Sequence, residues 1–342
     1  MTSFIGHDKA QRIFRQSFDK GTLHHAWILA GPKGIGKAGF AKQAAQFLLD
    51  SGDRSPPAGE NFELNENSQS AKLLSARSHP DFRLVQRGGK TDKEEKRARE
   101  EGAHALEEHE LKRNISIHQI RNLQSLFSTQ ASISTYRVVV IDAIDDLERG
   151  GANALLKNLE EPPKNTIFLL VSHAPERLLP TIRSRCQLLR FDSLDDEQMR
   201  TVLMAKAPNL DTAELEALIT AGEGAPGRSL QYIHTGLAEL EKLARAILET
   251  GDPDNKVKNE LAKKLSLKAA TTRYQAFLSR APSIMAQHIK SSGDKRSIQA
   301  IQLWQEASEL AIMATPKALD NQAVIFRLCS LMGSLAQQDH RA

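Results

Sequence analysis

Cysteine is nearly absent: 342 residues carry two, Cys186 and Cys329. A pair so far apart in sequence makes neither a cysteine-rich zinc site nor a disulfide framework. Both are expected to be reduced, partly buried thiols. Long apolar runs are also missing, and no stretch approaches the roughly 18 residues that suggest a membrane span. The N-terminal residues MTSFIGHDKAQRIF lack the short apolar core of a secretory signal. A cytoplasmic protein with no membrane partner is therefore expected. No internal repeat, helix-turn-helix or zinc finger is visible, so sequence-specific DNA recognition has no module to carry it. Nor is there a large excess of one charge. The net value of +4 permits contact with nucleic acid without demanding it.

What is there is an ordinary globular composition, 40% apolar and 26% charged, in a chain long enough for two or three domains. The first half alternates helical and strand patterns. DKAQRIFRQSFDKG has helical spacing at Ala10, Ile13, Phe14 and Phe18, with Gly21 as a stop. HHAWILAG, DFRLVQR, RVVVIDAIDDL, TIFLLVS and CQLLRF read as strands. KAGFAKQAAQFLLDSG reads as a helix, and so does GANALLKNLEEPP, ended by Pro162 and Pro163. ISIHQIRNLQSLFS reads as one amphipathic helix with Ile117, Ile120, Leu123 and Phe127 on a stripe. Such alternation predicts a parallel sheet covered on both faces. Residues 51–76 read as a loop-rich insertion, and RGGKTDKEEKRAREEGAHALEEHELKR as a solvated, partly helical excursion. After Phe191 the strand patterns stop and helical ones continue to the end.

The stretch GPKGIGK fits a phosphate-binding loop between a buried strand and a helix. Gly31, Gly34 and Gly36 let backbone N–H groups converge on an anion, the helix N-terminus faces the same point, and Lys37 would reach the β- and γ-phosphates. The next residue should carry a hydroxyl for Mg²⁺, and it is Ala38. Nucleotide binding is expected to survive in weakened form, and metal-assisted phosphoryl transfer to suffer more. Asp142 ends the hydrophobic strand where a metal-holding aspartate belongs. The residue after it, Ala143, cannot accept a proton from water. Asp145 and Asp146 read as the start of a turn or helix.

Taken in order, GPKGIGK, VVVIDAIDDL, NALLKNLEEPP, VSHAPERLLPTIRSRC and GAPGR resemble the AAA+ clamp-loader subunits of bacterial DNA polymerase III over roughly residues 5–230. The resemblance implies an α/β AAA+ P-loop domain (1–192, with a charged and loop-rich insertion at about 51–113). A helical lid (193–240) and an all-α oligomerisation domain (241–342) would follow. It implies that Arg185, in the motif Ser184, Arg185, Cys186, acts as an arginine finger toward ATP held by a neighbouring subunit. Ser172 and Arg228 fall at the family's two sensor positions. The implied nucleotide site, Gly31, Gly34, Gly36, Lys37, Asp142, Ser172 and Arg228, is weak or vestigial. It requires no cofactor and holds at most ATP or ADP without hydrolysis. The implied partners are gamma/tau-type ATPases, a delta-type subunit and, through the assembly, the sliding clamp and primed DNA.

The residues admit plainer roles. Arg185 could be a surface arginine paired with a local acid, Ser172 a strand-end cap, Arg228 an ordinary surface residue and Cys186 a packing residue. Some related subunits carry a four-cysteine zinc module after the first helix of the P-loop unit. Here that region, SGDRSPPAGENFELNENSQSAKLLSARSHPD, has no cysteine and one histidine, His79, so no zinc is expected. Two other functions stay open: a self-sufficient ATPase motor, against which Ala38 and Ala143 argue, and a nucleotide-dependent DNA-binding regulator.

Overall fold

The computed structural model describes residues 5–51, 62, 64–101, 106, 110–127, 131–291, 298–315 and 317–339. Two compact units divide the chain, Met1–Gln198 and Met199–Ala342. The first contains α1 (Asp8–Asp19), β1 (Ala26–Ala30), α2 (Lys37–Asp50), α3 (Gln69–Ser75), β2 (Phe82–Gln86) and α4 (Asp92–Glu100). It continues through α5 (Ile117–Arg121), α6 (Gln124–Phe127), β3 (Arg137–Asp142), α7 (Arg149–Glu160), β4 (Thr166–Ser172), α8 (Pro180–Arg183) and β5 (Gln187–Arg190). Helix α9 (Asp196–Lys206) contains the boundary between the units.

The strands form one sheet in the order β2-β3-β4-β1-β5, and every pairing is parallel. Successive strand residues face opposite sides. Trp27 and Leu29 join Val138, Val140, Leu169 and Val171 on the side covered by α1 and α2. Ala26 and Ile28 join Val139, Ile141, Phe168 and Leu170 on the side covered by α5 to α8. Burial on both faces explains why β3 and β4 read as unbroken apolar runs. This is the parallel α/β architecture covered on both faces that the alternation predicts, with the phosphate loop leaving the sheet between β1 and α2.

Gly31 shows how tightly that exit is built. A Cβ there would lie 2.5 Å from the Phe191 backbone oxygen, just past β5. A backbone atom paired into the sheet has little room to retreat, since Phe191 N–H donates to Ala30 O at 2.8 Å. Gly31→Ala is therefore expected to destabilise the first unit by about 1–3 kcal/mol, read as a lowered urea midpoint with an unchanged slope.

The structure corrects two local expectations and adds to a third. The first insertion is not loop throughout. Helix α3 stands on a Ser68 cap whose hydroxyl accepts from Ala71 N–H at 3.0 Å, while Pro56, Pro57 and Gly59 lie outside the described residues. The mixed-charge excursion is solvated and partly helical as expected, and it is also pinned. Helix α4 opens with a Thr91–Glu94 capping box, and Arg97 pairs with Glu110 at 2.7 Å. The segment from Ile117 to Phe127 is two short helices, not one. Leu123 N–H bonds back only to Ile120 O at 3.1 Å, a tighter turn that ends α5 before α6 begins. Ile120 and Leu123 are nonetheless buried, as the stripe predicts.

The described part of the second unit is helical: α10 (Thr212–Gly222), α11 (Pro226–Leu230), α12 (Leu237–Thr250), α13 (Lys256–Leu265), α14 (Thr271–Ser291), α15 (Ile298–Ala314) and α16 (Asn321–Asp339). Glu241 is buried on α12 and accepts from Arg280 Nε of α14 at 3.0 Å. Removing either partner would strand a buried charge.

Candidate functional site

The phosphate loop is shaped as its glycines suggest. Gly34 and Gly36 have φ of 84° and 111°, where side chains are disfavoured. Lys37 opens α2 with only 2% of its surface exposed. Its Nζ donates to Gly31 O at 2.5 Å and Pro32 O at 2.6 Å. Burial pushes this ammonium down to about 8, against the pull of Asp142 and Asp145. At neutral pH it is still mostly charged, and its own loop carbonyls hold it.

Asp142 closes β3 in register with Gln86 at the end of β2. Gln86 Nε2 donates to Asp142 Oδ2 at 3.0 Å, and Gln119 of α5 donates to Gln86 O at 2.7 Å. The β2–β3 pairing thus brings together side chains far apart in sequence. The next residue, Ala143, is buried. Asp145 follows in a 3₁₀ turn and does more than start it. Its carboxylate accepts from Ser172 Oγ at 3.0 Å, His173 N–H at 2.7 Å and Ala174 N–H at 3.1 Å. Ser172 is fully buried at the end of β4, so this clasp fixes the strand end that faces the phosphate loop. Asp146 pairs with Arg87 Nε at 3.2 Å. Burial raises the Asp146 carboxyl above its ordinary range, and Arg87 opposes that rise.

Sequence reasoning missed Arg87, Gln86, the role of Asp145, and His7. His7 Nε2 lies 2.8 Å from Ile35 O in the phosphate loop, and the ring meets Phe191 edge-on at 5.0 Å. Burial holds its pKa below the usual value. No spacing pattern flags these contacts, because each depends on which segments the fold brings side by side.

The residues present fit a nucleotide's phosphates better than they fit its metal. The glycine backbone and Lys37 suit an anion. For Mg²⁺, Ala38 supplies no oxygen, and one Asp142 oxygen is already engaged by Gln86. Among the described residues no group of three or more His, Cys, Asp or Glu side chains is placed to hold a metal ion.

Arg185 lies just beyond α8. Its guanidinium pairs with Glu160 Oε1 of α7 at 2.9 Å and donates to Thr181 O at 2.9 Å. The paired side chains are 36% and 48% exposed, so the contact sits at the surface. Ser184 Oγ bonds Thr181 O at 3.2 Å. Cys186 is half-buried against the apolar layer below α7, and burial pushes its thiol up to about 12. A thiol that reluctant to ionise packs; it does not attack. Arg228 belongs to the second unit, on α11, where it pairs with Glu223 at 2.6 Å. His79 is buried and accepts from Asp81 N–H at 3.1 Å.

A family described as "DNA polymerase III, delta subunit" matches residues 6–195. The chain is 31% identical to DNA polymerase III subunit delta′ of Pseudomonas aeruginosa, over 69% of this chain and 63% of that protein. With the same subunit of Bacillus subtilis it shares 30% identity, over 62% of this chain and 55% of that one. Similarity also extends to subunit tau of Bacillus subtilis, at 24% identity over 76% of this chain and 42% of that one. The chain thus spans roughly 55–63% of the length of these two delta′ relatives.

Proposed function

This chain belongs to the DNA polymerase III delta-subunit family, and from that membership we propose that it is a delta′-type, non-hydrolysing subunit of a replicative clamp loader. The observation that carries the proposal is the pair of losses at the phosphate site. Ala38 withholds the metal's hydroxyl ligand, and Ala143 withholds the base that would activate water. Nucleotide held by Gly31, Gly34, Gly36 and Lys37, near Asp142 and Ser172, would serve as a structural ligand. Asp145 would keep Ser172 aimed at it. Arg228, from the second unit, is assigned here to the second sensor position.

The useful chemistry lies at Arg185. In the assembly it would exchange Glu160 for the γ-phosphate of ATP held by a neighbouring gamma/tau-type ATPase, where a planar fork matches phosphate oxygens. Ser184 fastens the turn that presents it, and Cys186 packs beneath. A lid (193–240) and a collar (241–342) that meet in the first turn of α12 would join this chain to its neighbours, including a delta-type subunit. The sliding clamp and primed DNA would be engaged through the assembly, in the cytoplasm.

The isolated chain is expected to turn over no ATP above background in a steady-state phosphate-release assay. Turnover that disappears on Lys37→Ala would overturn the proposal and favour a self-sufficient motor.

A further inference from the structure

A cavity of about 480 Å³ opens between α5–α6 and α7, away from the phosphate loop. That volume suits a small organic ligand. Its lining divides by chemistry. Ile117, Ile120 and Ala154 give it an apolar wall. Gln124, Asn153 and Asn158 give it amide groups. Asn158 is more than nine-tenths buried, and its Oδ1 accepts from Gln124 Nε2 at 3.2 Å. That bond leaves the Asn158 NH₂ and the Gln124 carbonyl for another partner. Two cations, Arg121 and Lys157, complete the rim, and no carboxylate lines the cavity. Both are exposed, and among the described residues neither has a hydrogen-bond or ion-pair partner.

We propose that this cavity binds one nucleotide unit of single-stranded DNA, with an unstacked base inside and its phosphate on Arg121 and Lys157. A base is flat, apolar on its faces, and carries donors and acceptors along one edge. An apolar wall beside amides, two of them tied by the Asn158–Gln124 bond, matches that combination, and two unpaired cations match the adjoining phosphate. An acidic peptide would satisfy the cations but has no flat ring to fill the apolar part. The choice of DNA as the source of the nucleotide rests on the clamp-loader proposal. The chemistry of the cavity does not, and neither Arg121 nor Lys157 belongs to the phosphate loop or the Arg185 turn.

The test is fluorescence anisotropy of the full chain with a labelled twelve-thymidine strand and an equally long abasic strand, at several salt concentrations. The base-bearing strand is expected to bind about tenfold tighter, the worth of one or two net hydrogen bonds. Ala154→Phe, which fills the cavity, is expected to erase that difference and leave abasic binding unchanged. Asn153→Leu, an exposed position that carries little folding risk, should reduce the preference in the same direction. Arg121→Ala with Lys157→Ala should weaken both strands and flatten the salt dependence, by about 0.7 in slope per lost phosphate contact. Equal binding of the two strands, no binding of either, or indifference to both cavity substitutions would overturn the proposal. Free thymidine monophosphate binding as tightly as the strand would overturn DNA as the ligand. None of these outcomes bears on ATP turnover by the assembled complex, so the two proposals fail separately.

Discussion

Arg185→Ala is expected to slow ATP hydrolysis at the neighbouring site by about 10³-fold or more, because fingers of this kind are worth about 10³–10⁵ in rate. The pairing with Glu160 does not argue against this. An exposed ion pair contributes about 0.2–1 kcal/mol, and this one is 36% and 48% exposed. The proposed finger's effect would correspond to about 4–7 kcal/mol of transition-state stabilisation, so releasing a surface carboxylate would take up only a small part of it. Under the proposed role, Glu160 would be a resting partner for the fork, which it holds at 2.9 Å in this chain. Arg185→Lys should rescue little, since an ammonium lacks the planar fork. The measurement is single-turnover hydrolysis by the reconstituted complex at saturating subunit concentrations, with assembly checked by light scattering. Unchanged single-turnover rates in a fully assembled complex would remove Arg185 from the chemistry and leave it as a surface arginine.

What could be read from sequence and what could not differ by physical cause. The buried strands were legible because both faces of a parallel sheet are covered, which writes continuous apolar runs such as VVVID and TIFLLVS. The phosphate loop was legible because a backbone cradle demands glycine at fixed spacing. Helix breaks were harder to see: Ile117 to Phe127 keeps its apolar stripe across the turn between α5 and α6, since a tightened turn barely disturbs the periodicity. Least legible were the contacts that depend on strand order. Asp145 reaches Ser172 and Gln86 reaches Asp142 only because β2, β3 and β4 lie side by side. Those contacts position the candidate site, so sequence supplied its chemistry and the sheet supplied its geometry.

The same cause hid Asp81, whose removal should have a large effect on stability. Its carboxylate accepts backbone N–H groups of Ser132 at 2.7 Å, Ile133 at 2.8 Å and Ser134 at 3.0 Å. Those bonds hold the segment that feeds β3, and the Asp81 carbonyl accepts from Val138 N–H at 2.9 Å. Only 1% of the residue is exposed, so water cannot replace a lost acceptor. Hydrogen bonds to a charged group are worth about 1.5–3 kcal/mol each, and stranded donors add to the loss. Asp81→Asn keeps the shape but removes the charge and turns an NH₂ toward an N–H. It is expected to cost about 3–4 kcal/mol at pH 7. The pH dependence follows from the sign of the shift. Burial alone would raise this carboxyl, but the three amides outweigh it and hold it below its ordinary 3.8. The stabilisation is therefore fully present above the unfolded value and is lost as pH falls through the folded one. Urea unfolding can follow this unit through Trp27, which is fully buried in β1, with Trp304 replaced by phenylalanine. The gap between parent and Asp81→Asn should be full at pH 7 and narrow steadily below about pH 4. A gap that is small at pH 7, or constant down to pH 2, would mean that the entry to β3 is held by packing and not by this carboxylate.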